Sequence, residues 1–213
     1  MLIMLIYKGF RVLSKEFSIV STEEPYLLGQ ILLNKQDETG IKYIERAIDK
    51  DSSIVIEGCQ IICSFLQEQG KINQAKSYQE RAENYTELIL KAQQERSRVR
   101  ENDKFESHNV SDIEVNKLHQ QFSDRPHIIT VYLVQKKLQY FPEKPLYVLA
   151  VKREVTFLEG IEKPDHSKLV NSLLQENEFL GNVFIFILND HLNMEKKLKR
   201  IPNSMIYHKK RKK

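Results

Sequence analysis

Gly40-Ile41-Lys42-Tyr43-Ile44-Glu45-Arg46-Ala47 and Ala75-Lys76-Ser77-Tyr78-Gln79-Glu80-Arg81-Ala82 are one eight-residue phrase written twice. Each copy opens on a small residue, places Tyr fourth and Glu-Arg sixth and seventh, and closes on Ala. The copies are offset by 35 residues, close to the ~34-residue period of one helix–turn–helix repeat. Self-similarity at that period predicts stacked helical pairs. Such pairs offer surfaces to partners rather than reaction centres.

Outward from the phrase, the chain reads as two helical hairpins. Residues 1–24 are an apolar, helical lead-in, with helical texture from Arg11 to Phe17. Glu23-Glu24-Pro25 predicts a helix start, because acids and Pro suit a first turn. This helix continues through Leu27–Leu33, turns over Asn34–Thr39 and returns as Gly40–Ile48; Asp49–Ser53 breaks it. The second hairpin runs from Ile54 to Gln69, turns at Gly70-Lys71 and returns through Asn73 to Ala82. Gly70 suits the left-handed residue that ends many helices. Gly29 and Cys63 hold equivalent places, where paired helices are expected to approach closely. A separate helix, Glu83–Glu101, is expected to cap the array, with Leu88, Ala92, Glu95 and Val99 at helical spacing. Residues 25–101 are therefore the expected helical-repeat region, and 102–110 the expected linker.

From Ser111 the texture changes. Ser111-Asp112-Ile113-Glu114 has the form of a capping box. His127–Val134 and Leu146–Val151 are rich in β-branched and aromatic residues, as strands are. Phe141-Pro-Glu-Lys-Pro145 separates them. Asp165–Glu176 predicts a helix with Leu169, Leu173 and Leu174 facing inward. Asn182–Leu188 is the most apolar run and predicts a central strand buried on both faces. Asp190 is placed to cap a short helix to Arg200, and Ser204–Tyr207 to form a last strand. The expected fold class is α+β: tetratricopeptide-like hairpins, then a small α-β-β-α-β-α-β domain over 111–208 with helices on one sheet. A basic tail, 209–213, ends the chain.

Composition narrows the function classes. With 41% apolar and 29% charged residues, the chain is too apolar for wholesale disorder. The net charge of +4 is deceptive, since Lys196–Lys213 holds nine Lys or Arg and no acid. The first 195 residues therefore sum to −5 (+4 less nine), which argues against a core that binds nucleic acid. Cys59 and Cys63, four apart on one helix, are poorly placed for a disulfide and read as reduced thiols in a cytoplasmic setting. Met1–Ile6 is apolar but far short of a membrane span or a signal core. It fits a short packed helix or the remnant of an upstream domain.

No reaction centre is expected. None of the histidines at 108, 119, 127, 166, 191 and 208 is followed by Glu, so no His-Glu-x-x-His metal helix is present. Gly-rich phosphate loops and Gly-x-Ser-x-Gly elbows are absent as well. Asp165-His166 and Asp190-His191 fit helix caps better than acid–base pairs. Cys59 and Cys63 are one ligand pair, where structural zinc draws on two. Tyr43 and Tyr78 are expected to pack between helices. The reading carries no catalytic, metal or cofactor-binding residue and no cofactor.

As repeats, the two phrases resemble divergent tetratricopeptide units. Leu28-Gly29 and Ala47 stand where the first unit needs Leu-Gly and Ala. The second unit keeps Ala75 and Ala82 but has Ile62-Cys63 for Leu-Gly, and the signature Trp is missing. Roughly residues 25–208 are also similar to the C-terminal accessory region of bacterial HtpX/CAAX-protease-like zinc metallopeptidases. The matching phrases are Thr39–Ala47, Gln94-Glu95-Arg96, Val131–Lys137, Tyr140–Leu149 and Gly181–Phe186. In that family a membrane-associated peptidase domain bearing the zinc helix comes first. No position here matches it, so no zinc ligand carries over, and the resemblance implies a truncated, split or standalone accessory protein. The expected function is thus a non-enzymatic adaptor that binds a protein, such as a peptidase domain, through the hairpin groove. Membrane association would come only through an upstream domain. The alternative is a binder of nucleic acid or anionic surfaces through Lys209–Lys213, although only Tyr207 supplies a nearby aromatic.

Overall fold

The computed structural model describes residues 19–125, 127–154, 166–176, 180–189 and 191–209. Seven α-helices and five strands among them make an α+β protein. Two compact units divide it, one ending at Gln93 and the other continuing from Gln94.

The first unit is helical. It comprises α1 (Ile19–Asn34), α2 (Thr39–Lys50), a 3-10 turn (Ser52–Ile54), α3 (Val55–Glu68) and most of α4 (Ile72–Arg96). Its core forms where Ile44 and Ile48 of α2 meet Val55, Cys59, Ile62 and Leu66 of α3 and Ala75 and Ala82 of α4. Two glycines make room for those isoleucines, and a third lets two helices touch. A Cβ on Gly29 would lie 2.6 Å from the Ile44 side chain, and one on Gly58 would lie 2.8 Å from that of Ile48. Gly40 allows backbone-to-backbone contact, since its Cβ would lie 2.5 Å from the Gly29 carbonyl oxygen. The close approach is therefore between Gly29 and Gly40. Cys63, expected at the equivalent place in the second pair, is half-buried beside an open groove instead.

The turns after α1 and α3 are copies of each other. Asp37 N–H donates to Leu32 O at 2.9 Å and Gln36 N–H to Leu33 O at 2.9 Å. Lys71 N–H donates to Leu66 O at 2.8 Å and Gly70 N–H to Gln67 O at 3.0 Å. Both are Schellman ends built on a left-handed residue, Gln36 (φ 62) in one and Gly70 (φ 70) in the other. Side-chain pairs tie one copy to the next at a separation of 33 residues. Gln69 donates to Gln36, Lys71 Nζ meets Glu38 at 2.6 Å, and the Tyr78 hydroxyl donates to Glu45 at 2.6 Å.

Two helix boundaries differ from expectation. Helix α1 starts at Ile19, so Pro25 lies inside it. A proline there removes one helical N–H, and the packing of Gly29 and Leu33 on α2 holds the helix through that loss. The expected break at Glu83 does not occur. No Gly or Pro falls between Ile72 and Arg96, and α4 runs unbroken for 25 residues.

The second unit is a five-stranded sheet with helices on both faces, not on one. Its strands are β1 (Phe105–Ser107), β2 (Ile128–Lys136), β3 (Leu146–Arg153), β4 (Val183–Ile187) and β5 (Met205–His208). β1 falls within the expected linker, 102–110, and pairs antiparallel with the end of β2. β2 also pairs antiparallel with β3 and β5, and β3 pairs parallel with β4. Alternation along β2 sends Val131 and Leu133 to a core with α5 (Asp112–Ser123) and α6 (Ser167–Glu176). Tyr132 and Val134 go to a second core with α7 (Leu192–Leu198). β4 reaches both cores, which explains its apolar run, yet it is bonded to β3 alone among the described strands and is not central. The capping box forms as expected, Ser111 Oγ accepting from Glu114 N–H at 3.3 Å.

Adding a methyl group distinguishes the glycines. Gly40→Ala drives Cβ into backbone and should cost about 1–3 kcal/mol. Gly58→Ala meets side chains and no backbone, Ile48 at 2.8 Å and Ile44 at 3.0 Å, and gains helix propensity, so its net loss should be smaller than that of Gly40→Ala. Urea midpoints of the two variants check this; equal losses would contradict it.

Candidate functional site

The sequence directs attention to the hairpin groove, and among the described residues a groove borders α3 on each side. Gln60 and Ser64 line both. The α3–α4 groove holds about 470 Å³ and is walled by Ile56, Cys63, Ala82, Thr86 and Leu90 with Gln79, Glu83 and Glu87. The α1–α3 groove holds about 380 Å³, between Leu33, Asn34 and Gln36 on one side and Glu57, Ile61, Phe65 and Glu68 on the other. Neither groove has a Lys or Arg in its lining. Helical spacing sorts the residues. On α4, Ala82, Thr86 and Leu90 recur every four residues, and Gln79, Glu83 and Glu87 form a parallel line one position round.

Of the repeated tyrosines, Tyr78 packs between helices as expected. Tyr78 packs on the helical core and bonds α2 through Glu45. Burial, and then the bond to Glu45, pushes its phenol well above the ordinary tyrosine value. Tyr43 is half-buried, with the Arg46 guanidinium 5.8 Å from its ring. Both cysteines are free thiols: Cys59 is fully buried, and burial pushes its thiol pKa up, whereas Cys63 faces the α3–α4 groove.

The remaining candidates lie in the second unit and are dispersed. His108 Nε2 is 3.1 Å from Asn203 O, the His119 ring meets Tyr207 edge to face, and His208 Nδ1 is 2.9 Å from Thr130 Oγ1. His191 lies against Phe186, at the N-cap position of α7, and makes no side-chain cap. His166 is 3.4 Å from Arg153 Nη1. Asp165, Asp190 and 210–213 lie outside the described residues, so the two expected Asp caps and most of the basic tail do too. Lys209 pairs with Glu154 at 2.9 Å. Among the described residues no three His, Cys, Asp or Glu side chains converge as a metal site, and no helix is long and apolar enough to cross a membrane.

Sequence reading missed two buried cations. Arg96 is 4% exposed and donates to the carbonyls of Tyr140, Phe141 and Lys144 at 2.8–3.0 Å. Lys136 is 5% exposed and reaches Glu95 O, Arg98 O and the Asp103 carboxylate at 2.7–2.9 Å. Lys136 spends its three donors on them, and Arg96 is bound to three carbonyls, so both read as structural staples. The phrases Gln94-Glu-Arg96 and Tyr140–Pro145 are thus one contact surface, which Glu95 completes by accepting from Gln139 N–H and Tyr140 N–H.

Comparison with protein-family models, curated proteins and solved structures finds no match.

The thiols provide a check on the groove. In the native protein Cys63 should react with a maleimide, while Cys59 should react only after unfolding. Peptide mapping of the labelled chain distinguishes them, and native labelling of Cys59 would contradict the burial described.

Proposed function

We propose that the helical unit is a protein-docking module of the tetratricopeptide kind, and that the chain works as a non-enzymatic accessory protein. The observation that carries this reading is α3 itself, one helix bordered on each side by an open, cation-free groove. The copied Schellman turns and the side-chain pairs at a spacing of 33 support repeat architecture. Repeat units of this kind stack into continuous grooved surfaces. The resemblance to the accessory region of HtpX/CAAX-protease-like metallopeptidases suggests a peptidase domain as the partner, in the cytoplasm or at a membrane through that partner. Binding of nucleic acid by the basic tail draws no support from the described residues, where Lys209 is already paired.

A photo-crosslinking residue at Gln60, which borders both grooves, tests the module. Irradiation in cells should yield a discrete protein adduct, and the same residue at Arg46, exposed on α2, should not. Equal adducts from both positions, or none from Gln60, would refute the docking reading. Co-expression with a metallopeptidase domain of the resembling family tests the partner; failure to co-purify refutes that assignment alone.

A further inference from the structure

We propose that the α3–α4 groove receives a basic amphipathic helix from a partner protein. This rests on the docking reading above and specifies the chemistry of the occupant. From Gln79 to Leu90, α4 offers the groove about 16 Å, enough for about three turns of an incoming helix. The walls are mainly apolar, with Ile56 and Cys63 from α3 facing Ala82 and Leu90 from α4. Leu90 is 57% exposed, a large apolar side chain that no described residue covers. The helix expected to cap the array, Glu83–Glu101, is instead the continuation of α4.

Charge selects the occupant. Glu83 and Glu87, one turn apart on α4, edge the groove, and none of its ten lining residues is cationic. Helix α3, the other wall, has no Lys or Arg along its length; its two acids, Glu57 and Glu68, line the α1–α3 groove instead. Glu83 accepts from Gln79 at 2.9 Å and Glu87 pairs with Lys91 at 2.7 Å, both exposed contacts one helical turn apart. Contacts of that kind are weak and are exchanged at little cost for an incoming cation. A phosphate backbone would be repelled. An extended strand would find no free backbone ladder on two complete helices, whereas a helix laid in a groove needs only side-chain complementarity. The complementary helix carries apolar residues at i, i+4 and i+7 and Lys or Arg at two flanking positions four apart.

The test uses the full chain and three fluorescein-labelled 15-residue helical peptides. They share a Leu/Ala face and carry Lys, Gln or Glu at the flanking positions, and anisotropy reads the binding. The Lys peptide should bind about tenfold more tightly than the Glu peptide, with Gln between, as two exposed charge pairs allow. The double variant Glu83→Gln/Glu87→Gln should erase that order. Thr86→Trp, at an exposed position, should fill the groove and abolish binding of all three while circular dichroism stays unchanged. Equal affinities for Lys and Glu peptides, all lost in Thr86→Trp, would overturn the charge assignment and leave the docking groove standing. No binding, or binding indifferent to Thr86→Trp, would overturn this groove as the site. Self-association abolished by Thr86→Trp would give the groove to a second copy of the chain and overturn the proposal.

Discussion

The helical unit depends on one backbone contact. Where Gly29 meets Gly40, no side chain separates α1 from α2, and the gap that a methyl group would fill is occupied by a carbonyl oxygen. That closeness aims Ile44 and Ile48 past α1 and into α3, where Gly58 makes way for them. Ile44 is completely buried between the two helices. With its inner side held there, α3 keeps Gln60 and Ser64 outward, shared by both grooves. A contact between residues with no side chains thereby orients the side chains that border the grooves.

The sheet unit follows a different constraint. β2 has partners on both edges and apolar residues on both faces, so little of it touches water. Lys136 at its end is the exception in kind. Its ammonium is buried, and the cost of taking a charge from water is offset by two helix-end carbonyls and a carboxylate. Arg96 is treated in the same way by the bend at Tyr140–Lys144, where Phe141 takes a left-handed conformation. Buried cations at such places need not signal chemistry, because the three donors of Lys136 and three of those on Arg96 are taken by acceptors of the fold itself.

Much of this was legible in the sequence because its causes are local. The doubled phrase, the glycine at 70, the capping box at Ser111 and the strands around Val131 and Leu149 follow from propensity and spacing within a few residues. The misses are non-local or too short for a period. β1 has three residues, and only its pairing with β2 reveals it. β4 looked central because burial on two faces and pairing on two edges give the same apolar run. The period of the repeat argued for a break at Glu83, while the absence of any helix breaker argued against it, and local chemistry prevailed. Nothing local marks Arg96 and Lys136 for burial, because long cations are usually solvated and the carbonyls that receive these two come from elsewhere in the chain. The grooves' negative character was within reach, since α1 and α3 contain no Lys or Arg.

The pairing of β2 with β5 also sets an order of assembly. Thr130 and His208 bond across 78 residues, whereas α1 and α2 meet across one short turn. Contacts close in sequence form quickly, and distant strand pairing waits on slow loop closure. On the ribosome the helical hairpins can therefore be complete while β2 still lacks a partner along one stretch of its edge. Until residues 205–208 emerge, that edge is a template for pairing with another nascent chain. Conditions that slow translation late in the message would prolong this exposure, making yield of soluble protein sensitive to the sheet unit long after the helical unit has folded.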